Sequence, residues 1–385
     1  MGMWIGRGRK ARRTYGFDEI ALVPGSVTIN PNEIDTGWKI GKTRFEVPIL
    51  AAAMDGVVDP RFAVEMSKLG GLAILNLEGV QTRYENPEEV LTQIAKVTPE
   101  EATKLVQQIY AEPIKEKLIA KRIKEIKDAG GVAAVSSIPQ RADKFGTIAE
   151  EAGCDVFVVQ STVTTVKHIS KEYKTVDFKK LCEKMKIPVI IGNCVDYNVC
   201  IELMETGPAA ILVGIGPGAA CTTRGVLGIG VPQVTATCDC AAARDFFYKT
   251  TGKYIPIITD GGMVSGGDIC KAFACGADAV MIGSAFARSK EAPGQGCHWG
   301  MATPHGNLPR GTRIRVGTTG TLKQILFGPA EKDDGSQNIM GALKTSMGNC
   351  GAQNIAQMQL TEIIIAPAIK SEGKIFQAAQ QLGGF

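Results

Sequence analysis

"AAILVGIGPGAACTTRG", residues 209–225, is the stretch on which the fold turns. An apolar run, Ala209 to Val213, feeds a glycine turn that formally satisfies G-x-G-x-x-A, the phosphate fingerprint of an open dinucleotide-binding sheet, and Asp239 follows at about the spacing of a ribose contact. Such a sheet needs a helix that opens directly on the turn. Here Pro217 removes one N–H, and the continuation "ACTTRGVLGIGVPQ" is too rich in Gly, Thr and Pro to be that helix. The stretch therefore reads as a strand followed by a long glycine loop, an arrangement that belongs at the mouth of a barrel.

Working outward, the same kind of short apolar run recurs: "PILAAAM" from Pro48, "GLAILNL" from Gly71, "VAAVSS" from Val132 and "DVFVVQS" from Asp155. "PVIIGN" from Pro188, "PIITDGG" from Pro256 and "DAVMIGSA" from Asp278 complete a set of eight with the run from Ala209. None alternates strictly, as suits strands buried on both faces, and the intervening segments, such as "RFAVEMSKLG" and "NVCIELMETG", carry helical periodicity. Gly pairs and Gly-Ala steps in "DAGGVAA", "EAGCD" and "ACGADA" read as helix C-caps feeding the next strand. The pattern predicts an α/β fold, a (β/α)8 TIM barrel over residues 14–385, with the open doubly wound sheet as the alternative.

Two stretches exceed eight strand–helix units. Roughly 50 residues between the second and third strands read as charged amphipathic helices, a plain excursion of the barrel. Beyond the eighth strand, about 288–385, the sequence turns to Gly, Thr, Pro and Arg, which predicts an irregular flap over the catalytic face. Residues 1–13 form a basic arm, read as a solvated terminus.

Composition excludes several classes. The 43 basic and 39 acidic residues give a net charge of +4, an ordinary mixed surface that argues against a nucleic-acid partner. The sequence has no apolar run long enough to span a membrane, and its basic start lacks the apolar core of a secretory signal, so a cytoplasmic protein is expected. Three histidines (His168, His298, His305) supply little for metal or Ser-His-Asp chemistry. Of eleven cysteines, Cys154, Cys182, Cys200, Cys270 and Cys275 lie in apolar or helical runs and are expected as core, and "CDC" at 238–240 lacks zinc-knuckle spacing. Cys221 stands apart. Its loop of glycines and threonines beside Arg224 is a setting in which a thiol serves as nucleophile.

In a barrel, the loops after strands seven and eight commonly build a phosphate site from backbone amides. "TDGGMVSGGD" puts Asp260 at the end of strand seven, followed by Gly261 and Gly262, and "GSAFA" brings Gly283 and Ser284 to the same corner. Phosphate cradle, carboxylate for ribose and nearby thiol together describe a nucleotide whose base is attacked by Cys221.

These residues resemble a known family. "GIGPGAACTTR", "VPQVTA", "DGGMVSGGDICKAFACGADAVMIGS", "EAPG", "GMAT", "SMGNCGAQNI", "FDEIALVP" and "AAAMDGV" are similar to the inosine monophosphate dehydrogenase and guanosine monophosphate reductase family, over nearly the whole chain beyond the basic arm. The resemblance implies covalent hydride chemistry: Cys221 attacks C2 of inosine monophosphate, hydride passes to NAD, and water releases xanthosine monophosphate, a step towards guanine nucleotides. By the same resemblance Thr223 handles the water or leaving group, and Asp260 binds ribose. Gly261, Gly262, Gly283 and Ser284 surround the phosphate, Gly300 and Met301 meet the purine, and Asn193 lies beside the cysteine. Gln160, Ser161, Thr162 and Gly214 fall on the cofactor side. Carbonyls of Gly216, Gly218 and Cys221 would hold potassium, and a homotetramer is the usual assembly.

The chain also departs from the family pattern. Ala219 stands where a phosphate-binding serine is usual, and Gln160 where an aspartate faces the nicotinamide ribose. The Arg-Tyr pair of the dehydrogenase flap is reduced to Arg310-Gly311, with Arg313 and Arg315 nearby, and Arg310 is the candidate base. The gap after strand two is too short for the paired regulatory (CBS) modules. The rival readings are the reductase, which takes GMP and NADPH, and a non-catalytic nucleotide sensor.

Overall fold

The computed structural model describes residues 2–301, 312–366 and 373–380. Eight parallel strands close into a barrel: β1 (Ile49–Ala51), β2 (Leu72–Asn76), β3 (Ala134–Ser137), β4 (Val156–Gln160), β5 (Val189–Cys194), β6 (Ala210–Val213), β7 (Ile257–Asp260) and β8 (Ala279–Ile282). All eight coincide with the apolar runs read from the sequence. β8 pairs with β1, Met281 opposite Leu50, which closes the ring and excludes the open sheet.

Why the strands lack alternation is visible in their packing. Leu50, Ile74, Val158, Ile190, Leu212, Ile258 and Met281 point inward and form one apolar cluster, while their neighbours Ile49, Leu75, Phe157, Ile191, Val213, Ile257 and Val280 point outward into a second cluster under the helices. Each face is apolar, so period two carries no polarity signal. A small hairpin, Trp38–Ile40 with Thr43–Phe45, caps the N-terminal end. There Trp38 packs on Phe45, the ring centroids 5.6 Å apart and the planes tilted by 31°, and joins the inward cluster.

The remaining segments add detail to three expectations. The excursion between β2 and β3 forms helices Pro87–Lys96, Pro99–Ala111 and Glu116–Asp128, as periodicity predicts, but it is more than a plain detour. Leu91, Ile94, Val106, Ile109 and Tyr110 bury Trp299, next to the site residues Gly300 and Met301. The described residues after β8 include regular elements as well as loops. Cys297–Trp299 pairs antiparallel with Arg313–Arg315, and helices Leu322–Phe327, Ile339–Asn349 and Ile355–Met358 follow. Each of these helices opens on a polar cap (Thr321, Asn338, Asn354) whose side chain accepts a backbone N–H, a signal hidden in the sequence by shortness and by glycine. The basic arm is also structured: Met3–Gly6 pairs with Arg9–Ala11, and Arg12 binds Asp239 on helix Gln233–Thr251. That pairing gives Asp239 a structural partner and removes it as a ribose contact.

Candidate active site

A cavity of about 580 Å³ opens at the C-terminal ends of the strands and is lined by residues of all eight strand ends or βα loops, Cys221 and Asp260 among them. This volume lies within the range of small-molecule sites.

The cysteine loop leaves β6 at Gly214, whose φ of 148° and close approach exclude a side chain: a Cβ there would lie 2.3 Å from the Asp260 carbonyl oxygen. The loop turns back on itself where the Cys221 N–H donates to the Gly218 carbonyl at 3.0 Å. Cys221 is exposed to the cavity and its thiol donates to Thr223 Oγ1 at 3.1 Å, while Thr223 itself is buried. After the loop comes a short helix, Thr223–Leu227, which sequence composition argued against. Gly228, at φ 68°, stops it after five residues, and the long helix of this barrel unit begins only at Gln233.

Facing the thiol loop are the strand ends. Asp260 closes β7, where Asn193 donates to its Oδ2 at 2.8 Å and Gln160 at 3.1 Å, and the same Gln160 amide nitrogen reaches Asn193 Oδ1 at 3.1 Å. Burial pushes the Asp260 carboxyl up to about 6, against the pull of the Asn193 hydrogen bond. Backbone bonds from Ser161 N–H to the Gly192 carbonyl and from Asn193 N–H to the Ser161 carbonyl, 3.0 and 3.1 Å, hold β4 and β5 in step, so that the two amides meet at one carboxylate.

At the corner of β7 and β8, Gly262, Gly283 and Ser284 line the cavity as the sequence predicts. Gly261 lines it too, but its N–H is committed to the Met281 carbonyl at 3.0 Å and is not turned to the cavity. His298 was missed by sequence reading. Its Nε2 lies 3.0 Å from Ser284 Oγ, it is almost fully buried, and burial helped by Arg288 lowers its pKa to about 4, so the ring is neutral at pH 7. A lone histidine carries little signal in a sequence. The only available clue was its position two residues before the Gly300-Met301 pair.

Gly300 and Met301 also border the cavity. Behind them, Trp299 Nε1 donates to Tyr110 Oη at 2.8 Å, and Tyr110 donates in turn to Asp55 and lies 3.5 Å from Met301 Sδ. Among the cofactor-side residues, Ser161 and Thr162 lie on the opposite wall with Gln160, and Gly214 at the root of the cysteine loop. Arg310 lies outside the described residues. Arg313 and Arg315, the neighbouring candidates, turn away from the cavity: Arg313 donates to the Ile94 carbonyl at 2.6 Å and Arg315 to the Ala95 carbonyl at 3.3 Å, at the C-terminus of helix Pro87–Lys96 where a cation is favoured.

A closed (β/α)8 barrel with a thiol presented on a glycine loop beside the cavity at the strands' C-terminal ends defines the class: a (β/α)8-barrel protein with a small-molecule pocket where barrel enzymes carry their sites. The IMP dehydrogenase / GMP reductase domain model matches residues 14–303, and the chain belongs to that family. Within it, the chain is 37% identical over 364 residues to an uncharacterized oxidoreductase of Mycolicibacterium smegmatis, covering 92% of this chain and 97% of that one. An inosine-5'-monophosphate dehydrogenase of Methanocaldococcus jannaschii is 26% identical, covering 93% and 94%. The crystal structure of an IMP dehydrogenase/GMP reductase-like protein from Corynebacterium glutamicum superimposes with a TM-score of 0.89 at 34% identity, covering 94% of this chain and 97% of that chain. The protein is thus an oxidoreductase of this family, and among the described residues no helix is long and apolar enough to cross a membrane.

Proposed function

We propose that the protein oxidises inosine 5'-monophosphate to xanthosine 5'-monophosphate with NAD, through a covalent bond to Cys221. The observation that carries this is the pairing of the cavity-facing Cys221 thiol with Thr223, across from the Asp260 carboxylate. In this reading Asp260 accepts the ribose hydroxyls. Gly262, Gly283 and Ser284, with His298 behind Ser284, surround the phosphate, and Gly300 and Met301 face the purine.

The Cys221 sulfur bonds to C2 of the base, and C2 gives up its hydrogen with the electron pair as hydride. Water then adds at C2, a base takes its proton, and the C2–S bond breaks to release product and thiolate. NAD, when bound along Gln160, Ser161, Thr162 and Gly214, would supply the hydride acceptor. Thr223 holds the thiol and exchanges a proton with it or with the incoming water, and Arg310 is the proposed base. The residues fit a potassium ion as well: the Gly218 carbonyl spends one lone pair on Cys221 N–H and keeps the other, and the Gly216 and Cys221 carbonyls belong to the same turn. We place the enzyme in the cytoplasm as a homotetramer, as the family resemblance implies.

The dehydrogenase is favoured over the reductase by the segment 302–311, which contains Arg310 and His305 but no carboxylate to protonate departing ammonia. Two absorbance assays in potassium buffer test it. A rise in reduced nicotinamide with inosine monophosphate and NAD is the expected result; oxidation of NADPH only when GMP is supplied would make the protein a reductase. Silence in both with nucleotide still bound would make it a sensor.

A further inference from the structure

Gln160 does more than line the cofactor side of the cavity. Its single amide nitrogen lies 3.1 Å from both Asn193 Oδ1 and Asp260 Oδ2, and Asn193 donates to that same Asp260 oxygen at 2.8 Å. The three side chains come from the ends of β4, β5 and β7, and are drawn into one triangle around one carboxylate oxygen. An acid at position 160 would put a second carboxylate within hydrogen-bond distance of Asp260 in a buried site, where two like charges cannot both be held and one must keep a proton.

From this geometry we infer that Gln160 is a positioning residue: it clamps Asn193 and Asp260 together, so that one ionised carboxylate, held by two amides, is aimed at the ribose of the bound nucleotide. The inference rests on the reading of Asp260 as the ribose-binding group. It reassigns Gln160 from a contact of the cofactor to a device that couples the two halves of the cavity. Oδ1 of Asp260, which takes no hydrogen bond among the described residues, then serves the ribose hydroxyls, while Oδ2 is kept in place by the clamp. The other titratable groups on the cavity wall are Cys221, His298, Glu78, Arg83 and Arg141, and Asp260 itself responds to burial and to the Asn193 amide.

Two variants of the full chain separate a clamp from a filler. Gln160→Met keeps the volume but donates nothing; Gln160→Glu keeps the shape but adds charge. Calorimetric titration with inosine monophosphate, without cofactor, is run from about pH 5.5 to 8.5 on both variants and the wild type. The ligand phosphate titrates near pH ~6 for all three proteins alike, so differences between them report on the protein. The wild type is expected to bind with constant affinity above pH 7 and to weaken below about 6, as Asp260 takes up a proton. Gln160→Met should bind about tenfold more weakly, the effect of losing one hydrogen bond to a charged group, with its acid limb moved to higher pH. Gln160→Glu should show the opposite slope, losing affinity as pH rises through neutrality and the second carboxylate ionises. Wild-type affinity and pH profile in both variants would overturn the clamp while leaving the nucleotide reading intact. Failure of the wild type to bind either IMP or GMP would instead overturn the nucleotide reading, and with it the role given to Gln160.

Discussion

Cys221 and the trio Cys194, Cys200 and Cys240 are the same side chain set in opposite surroundings at one end of the barrel. The trio is gathered from the end of β5 and from helices Tyr197–Met204 and Gln233–Thr251, with all three sulfurs within 4.8 Å of one another and at most 2% of any of these residues exposed. Cys221 sits on a loop whose backbone is shaped by Gly214 and Gly216, both at positive φ, and its thiol is exposed with Thr223 as partner. Elsewhere in the helical layer, burial pushes the thiol of Cys154 up to about 12 and that of Cys270 to about 11, which keeps them neutral and inert at physiological pH. The lesson is that backbone context, not residue type, sorts the eleven cysteines. Strands and helices bury most of them, a glycine loop presents Cys221 to the cavity, and Cys238 stands exposed on helix Gln233–Thr251.

The contrast breaks most directly at Cys221. Replacement by alanine is expected to lower turnover by about three orders of magnitude or more, while the melting temperature stays within about 2 °C of wild type, because an exposed side chain contributes little to the core. Rates of nicotinamide reduction alongside a thermal melt check both halves. Next in size is the difference in alkylation. Iodoacetamide at neutral pH should modify Cys221 about a hundredfold faster than any cysteine of the trio, and inosine monophosphate should protect it, as peptide mapping over time will show.

Tyr110→Phe sharpens the comparison from the other wall of the cavity. It deletes the hydroxyl that links Asp55, Trp299 and Met301, and the expected result is a KM for the nucleotide raised about fivefold with kcat within twofold, since Met301 loses support but the thiol is untouched. The smallest effect is expected at Cys200→Ala. A buried sulfur exchanged for a small void should cost about 1–2 kcal/mol in denaturant unfolding and leave turnover within twofold. A large loss of activity there would erase the division between packing and reacting cysteines.

Much of this was legible in the sequence, for reasons that separate cleanly. The strands were readable because each is apolar on both faces and bounded by Gly, Pro or Asp, a signal that survives without tertiary context. That Cys221, Asp260 and the glycines of the β7 and β8 loops border one cavity was readable because each follows a strand at the same end of the barrel. What escaped depends on contacts across long separations. Nothing near residue 110 announces that it will support residue 299, and nothing near Arg313 or Arg315 says that both will be spent on carbonyls at the end of a helix more than two hundred residues earlier. His298 stayed hidden because a single histidine has no spacing to read. The hydrogen bond of Gln160 to Asp260 escaped for the same reason, because it forms only when β4, β5 and β7 come together.

The central claim is a bond between Cys221 and the purine during turnover. The most direct measurement is to quench the wild-type protein with acid while it turns over inosine monophosphate and NAD in potassium buffer, then to weigh the peptide that contains Cys221. The account predicts a mass increase of one nucleotide on that peptide, absent when cofactor is left out. Steady production of reduced nicotinamide with the Cys221 peptide unmodified throughout would contradict it.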